Sequence, residues 1–200
     1  MKKVLPALVL GAFLLVACGT TPPSRLYTLG TEAVAGDRVA TNAGSQRIEL
    51  VSVRIPELWD RPQIVLTKSA NEVGISEFHR WAAPLKSEVP RVVARDLRRL
   101  LGAPDVWLRD DFAGAKPDLR VQVTIERIDA VAGQGIQLDA AWAIRPVSGD
   151  VAAVGRTTII EPISGTAYET VVTALRSALS RMSAALAKDI ATVPGGSGGR

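Results

Sequence analysis

The stretch from Leu119 to Arg145 constrains this chain most, because two runs within it alternate with the period of a strand. In Leu119-Arg120-Val121-Gln122-Val123-Thr124-Ile125 the odd positions are apolar and the even ones polar. In the second run Ile136, Leu138, Ala140, Trp142 and Ile144 alternate with Gln137, Asp139, Ala141, Ala143 and Arg145. Successive side chains of a strand point to opposite faces, so each run offers one apolar face that needs a cover, as half-buried antiparallel strands do. Ser148-Gly149-Asp150 is a tight-turn signal ahead of a third run, Val151 to Ile160, which makes the three a meander.

Two helical stripes provide that cover. The first begins around Pro84, a good first-turn residue, and places Leu85, Val89, Val92, Val93, Leu97, Leu100 and Leu101 at three- and four-residue spacing. Arg91, Arg95, Asp96, Arg98 and Arg99 fill its other face, and Gly102 is the expected stop. Pro90 predicts either a bend or a later start to the regular part. The second stripe is Val171, Val172, Leu175, Leu179, Met182, Leu186 and Ile190, with Arg176, Arg181 and Lys188 outside it. Thr166 and Glu169 before it have the spacing of a capping box. A sheet face covers both stripes in an α+β two-layer sandwich, mostly antiparallel, with two main amphipathic helices packed on it.

Upstream, Ile48, Leu50, Val51, Val53 and Ile55 form a strand-like run stopped by Pro56. Its apolar positions switch parity between Leu50 and Val51, so either both faces are covered or a bulge lies there. Gln63 to Lys68 reads as a short strand, Asn71-Glu72-Val73-Gly74 as a turn and Ile75 to Phe78 as its return, a hairpin. Val106-Trp107-Leu108 is a further short strand, followed by a loop from Asp110 to Pro117.

The N-terminus has a different character. Lys2 and Lys3 precede an apolar run from Val4 to Val16, the layout of a secretory signal. As a helix that run spans roughly 20 Å, too short for a hydrocarbon core of about 30 Å. Leu15-Val16-Ala17-Cys18 resembles a bacterial lipobox, in which the cysteine is acylated and becomes the new N-terminus. The segments are therefore expected to be a signal peptide at 1–17, a lipidated tether at 18–45, one domain at 46–192 and a flexible tail at 193–200. In Gram-negative lipoproteins an Asp after the cysteine favours the inner membrane; here it is Gly19, which implies the periplasmic face of the outer membrane.

Removing the signal lowers the net charge from +4 to +2 with the signs interspersed, so nothing points to nucleic acid. Cys18 is the sole cysteine, which leaves no disulfide framework and no thiolate metal site. His79 is the sole histidine and reads as a surface or packing residue. Gly195 to Gly199 matches G-x-S-x-G, but it follows a finished helix instead of joining strand to helix. The carboxylate pairs Asp110-Asp111 and Glu57 with Asp60 have no third partner. No enzyme, metal or cofactor is expected.

The other unusual residues cluster in Ile55 to Val65 and Phe78 to Leu85. Two prolines and a tryptophan fix an extended loop, and Trp and Arg are enriched in binding hot spots. Trp59, Arg61, Pro62, Gln63, Arg80 and Trp81 are thus candidate partner-binding residues, against the plainer reading of a rigid loop that pins the first helix.

The chain also resembles a family, the ABC-transport auxiliary lipoproteins, the PqiC-like components of membrane-integrity transport systems. The similarity lies in the lipobox, Tyr27-Thr28-Leu29, Ile55-Pro56, Asp60-Arg61-Pro62-Gln63-Ile64-Val65, Asn71 and Trp81-Ala82-Ala83-Pro84-Leu85. The resemblance implies a non-enzymatic outer-membrane subunit of a transenvelope lipid transport system. Its implied partner is a periplasm-spanning protein with MCE domains, and its implied role is docking the end of that conduit. It also implies an extended N-terminal segment, so that Leu26 to Leu29 either adds an edge strand or rests on the domain. A subunit that caps a symmetric conduit is expected to form a homo-oligomeric ring. The rival reading is a structural or assembly lipoprotein for outer-membrane protein or lipopolysaccharide insertion.

Overall fold

The computed structural model describes residues 22–30, 39, 46–102, 105–112, 114–147 and 149–194; the lipobox and the glycine-rich tail lie outside the described residues. The elements in chain order are β1 (Arg25–Tyr27), β2 (Ile48–Arg54), a 3-10 turn (Glu57–Trp59), β3 (Gln63–Ser69), β4 (Glu72–Trp81), α1 (Leu85–Leu101), β5 (Val106–Leu108), β6 (Leu119–Val131), β7 (Gly135–Pro146), β8 (Ala153–Pro162) and α2 (Tyr168–Thr192). Five strands form one sheet in the order β5-β2-β6-β7-β8, and three form another in the order β1-β4-β3. The α+β sandwich expected from the sequence is present.

The large sheet follows its alternation. Leu119, Val121, Val123 and Ile125 of β6 and Ile136, Leu138, Ala140 and Ile144 of β7 are buried, while Arg120, Gln122 and Thr124 face solvent. α1 packs on β2 and β5, α2 on β7 and β8, and the helices pack on each other, so one face is covered. The meander β6-β7-β8 is antiparallel throughout. A register shift between Ile125 and Arg127 lets Glu126 and Arg127 both face solvent before Ile128 returns to the core.

The sheets are mixed and not purely antiparallel, although most of the paired residues are antiparallel. β2 lies parallel to both β5 and β6, and β1 lies parallel to β4. The reason is α1: it carries the chain back along the sheet, so β5 enters beside β2 in the same direction, as a helical crossover requires. The parity switch in β2 is a bulge, with the register to β6 shifting between Leu50 and Ser52. The hairpin turns at Ala70–Asn71, ahead of the Asn71–Gly74 turn expected, because Ser69 already pairs with Glu72.

α1 runs unbroken through Pro90 and ends at Gly102, whose φ of 61° is the left-handed conformation that glycine adopts freely. Its polar face is not simply solvated. Arg95 Nη2 donates to the Gly30 carbonyl at 2.8 Å and Arg98 Nε to the Val106 carbonyl at 2.7 Å. Asp96 and Arg176, expected outside the apolar stripes, are buried and paired, with Arg176 Nη2 2.7 Å and Nη1 2.9 Å from the Asp96 carboxylate. The capping box does not form: α2 begins one residue later than it requires, after Ala167, with no side-chain cap.

Candidate docking loop and the anchoring strand

The proline-framed loop after β2 is held from inside. Pro56 precedes a single 3-10 turn in which Trp59 N–H donates to the Pro56 carbonyl at 2.9 Å and Asp60 N–H to the Glu57 carbonyl at 3.0 Å. That turn drives the Trp59 indole into the core, where it is 2% exposed and its Nε1–H donates to the Ile128 carbonyl of β6 at 2.9 Å. Trp81 ends β4 and is also buried; its backbone N–H donates to the Pro62 carbonyl at 2.7 Å.

The two tryptophans expected to present aromatic surface are therefore core anchors. Their large apolar area is satisfied within the domain, and neither ring offers a face to a partner. Around them the structure brings the remaining candidates together. Gln63 is opposite Arg80 in the β3–β4 register, and both are half-buried, as is Arg61, while Pro62 is exposed. Glu57, Leu58 and Asp60 complete the exposed rim, and Lys86 Nζ at the start of α1 reaches Asp60 Oδ2 at 3.2 Å. Cys18 lies outside the described residues.

The feature that the sequence conceals is how β1 is held. Arg25, Leu26 and Tyr27 pair with His79, Arg80 and Trp81, and Ala82 N–H donates to the Tyr27 carbonyl at 2.8 Å. The edge strand implied by the resemblance is thus present, and the folded domain takes in residues well ahead of 46. His79, read from the sequence as a surface or packing residue, packs against two tyrosines: its ring stacks on Tyr168 at 3.8 Å between centroids and on Tyr27 at 5.6 Å. The Tyr27 hydroxyl is 2.7 Å from His79 Nδ1 and donates to Glu169 Oε1 at 3.3 Å, while Arg25 Nη1 lies 3.7 Å from the same oxygen.

Electrostatics at this cluster favour the neutral phenol and the ionised carboxylate. Partial burial, helped by the Glu169 charge, raises the Tyr27 hydroxyl above its ordinary range. Glu169 is held below the usual carboxylate range, first by a hydrogen bond from its own amide in the first turn of α2, then by Tyr27 and Arg25. The residue read from sequence as a cap is instead the fastener of β1. Beyond it, Leu29 is buried and its N–H donates to Glu88 Oε2 at 3.2 Å, so the segment continues along α1.

Elsewhere the carboxylate pairs serve local structure, with Asp111 Oδ2 accepting the Leu108 N–H at 3.3 Å. Among the described residues no group of three His, Cys, Asp or Glu side chains is placed to hold a metal ion, and no helix is long and apolar enough to cross a membrane.

The chain has relatives of known structure. It is similar to protein XCC0632 from Xanthomonas campestris, at 18% identity and a TM-score of 0.70 over 84% of this chain and 96% of that one. It is similar to an uncharacterized protein known from its crystal structure, at 16% identity and a TM-score of 0.67 over 84% and 99% of the two chains. PelC of Paraburkholderia phytofirmans, crystallised as a dodecamer, overlaps more loosely, at 14% identity and a TM-score of 0.44 over 76% and 93%. No curated protein matches the chain by sequence. Residues 27–187 match the family model described as the ABC-type transport auxiliary lipoprotein component.

Proposed function

Because the chain belongs to the family of ABC-type transport auxiliary lipoprotein components, we propose that it is the outer-membrane lipoprotein subunit of a transenvelope lipid transport system and acts by docking. The family is one of transport components and not of enzymes. In this reading Cys18, the sole cysteine, bears the lipid, and the domain hangs from the periplasmic face of the outer membrane. The partner is a periplasm-spanning protein with MCE domains, and the system supports membrane integrity.

The observation that best supports the reading is the placement of β1. Arg25 is already paired into the domain seven residues after Cys18, so the lipid and the folded surface are parts of one short unit. The docking surface we assign is the rim formed by Arg61, Pro62, Gln63 and Arg80, with Trp59 and Trp81 stiffening it from below. Several copies around a symmetric conduit would close a ring.

The test is copurification from detergent-solubilised envelopes. A protein with MCE domains is expected to accompany the wild type and to be lost with Arg61→Glu combined with Arg80→Glu, the fold being checked by circular dichroism. Recovery of an outer-membrane β-barrel in its place would overturn the transport reading in favour of an assembly role. Cys18→Ser is expected to release a folded, soluble periplasmic protein that no longer supports the envelope.

A further inference from the structure

We propose that the end of the domain formed by the β3–β4 hairpin turn rests on the lipid surface that holds the Cys18 acyl chains. The proposal rests on the acylation of Cys18 put forward above. Arg25 lies seven residue steps after Cys18, a reach of at most about 25 Å when fully extended. Pro22 and Pro23 within that tether favour an extended path.

The direction is set by β1. It lies parallel to β4 with Arg25 opposite His79, so the chain preceding Arg25 comes from the side toward which β4 runs back to its start. From His79 back to Glu72 is also seven residues, an overhang of roughly 23 Å. The tether is therefore long enough for the turn at Ala70–Asn71 to come level with the anchor.

The composition of this end fits a headgroup layer. Ser69 and Ala70 share a shallow cleft with Val131, Gln134 and Gly135 of the β6–β7 turn, and that turn adjoins Gly165 between β8 and α2. The three loops read Ala70-Asn71, Ala132-Gly133-Gln134 and Ser164-Gly165-Thr166-Ala167, without a single charge. Behind the first of them Val73 and Ile75 are exposed, at 41% and 46%. The loops at the far end carry Asp110, Asp111, Lys116 and Asp150, all exposed. Bringing charges out of water is costly, whereas small neutral groups and two aliphatic side chains meet little penalty at an interface. Lys68 and Glu72 behind the first tip neutralise each other in an exposed ion pair at 3.2 Å, so the end whose loop tips are uncharged is the one beside the anchor.

With Cys18 consumed by its lipid, an introduced cysteine is the only free thiol, so the full-length acylated protein can be labelled selectively. A fluorophore at Asn71→Cys is compared with one at Gly149→Cys, about 40 Å away along β7, in vesicles of phosphatidylethanolamine and phosphatidylglycerol containing a headgroup spin label as quencher. Both positions are exposed, so neither label disturbs the core. Quenching is expected to be several-fold stronger at residue 71. It should fall to the level of residue 149 when a long Gly/Ser segment is inserted between Ser24 and Arg25. Protein that floats with the vesicles but is quenched equally at both sites, or not at residue 71, overturns the proposal alone. Protein that fails to float overturns the anchor, and with it the proposal.

Discussion

Asp96 of α1 and Arg176 of α2 meet carboxylate to guanidinium across the helix–helix contact, at 2.7 and 2.9 Å, with both side chains sealed from solvent. A bidentate pair of this kind offsets much of the cost of desolvating two charges, but only while both are present. Asp96→Leu or Arg176→Met alone is expected to cost about 3–5 kcal/mol in equilibrium urea unfolding, and the double variant to recover most of that loss. Near-neutral single variants would show that the pair contributes little to holding the helices together.

Gly155 of β8 lies where any side chain would strike the Trp142–Asp189 hydrogen bond. A Cβ built there falls 2.3 Å from both Trp142 Nε1 and Asp189 Oδ2, which are 2.8 Å apart. Gly155→Ala should therefore destabilise by about 1–3 kcal/mol, as overpacking does. Thr158→Ala on the same strand, exposed, should stay within about 0.5 kcal/mol. Comparing the two melting temperatures checks this.

Asp118 ties the start of β2 to β6. It accepts the Arg47 backbone N–H at 2.9 Å and the guanidinium Nη2 at 2.8 Å. The hydrogen bond from Arg47 is the chief cause of a carboxyl held below its ordinary range. A depressed folded-state value means that the contribution is fully present above the unfolded carboxylate range near pH 4 and is lost as pH falls through the lower folded value. Urea midpoints measured from pH 6 down to pH 2 should thus show wild type and Asp118→Asn converging at the acid end. A difference that persists unchanged there would rule the linkage out.

His79→Ala removes the ring between Tyr27 and Tyr168 and with it a partner of the Tyr27 hydroxyl. Trypsin cleavage after Arg25 is expected to accelerate several-fold while global unfolding shifts modestly, because β1 is a three-residue edge element. Equal protection of that bond in both proteins would mean that the backbone pairing alone holds the strand.

Trp59→Ala and Trp81→Ala are each expected to lose about 3–5 kcal/mol, the range for large core truncations. A loss of partner binding in these variants would follow from the fold. Leu58→Asp and Arg61→Glu on the exposed and half-buried rim separate binding from stability, since calorimetry should find them close to wild type.

Period and parity carried the large sheet and both helices into view. Alternation in β6 and β7 and the stripes of α1 and α2 depend on burial on one face, which sequence records directly. The parallel pairings of β2 could not be read in the same way, since they depend on the path taken by α1 and not on any residue pattern. Asp96 and Arg176 were misplaced because a charge on a helix ordinarily faces water, and its partner was 80 residues away. Trp59 and Trp81 misled for the converse reason: a tryptophan framed by prolines looks the same whether its ring points out or in. Nothing near Glu169 betrayed its bond to Tyr27, because a Thr-x-x-Glu spacing already supplied a local explanation.

The parallel pairing of β1 with β4 has a mechanical consequence. Tension applied to the chain ahead of Arg25 would pull Arg25–Tyr27 along the strand axis, toward its own N-terminus. The hydrogen bonds to β4 would then be loaded together in shear instead of being unzipped one at a time. Arg25 would receive that load first, and Tyr27, held through its backbone by Ala82 and through its side chain by Glu169, would oppose it at two separate points on the domain. A strand of three residues thereby resists a pull on the chain ahead of it far better than its length suggests.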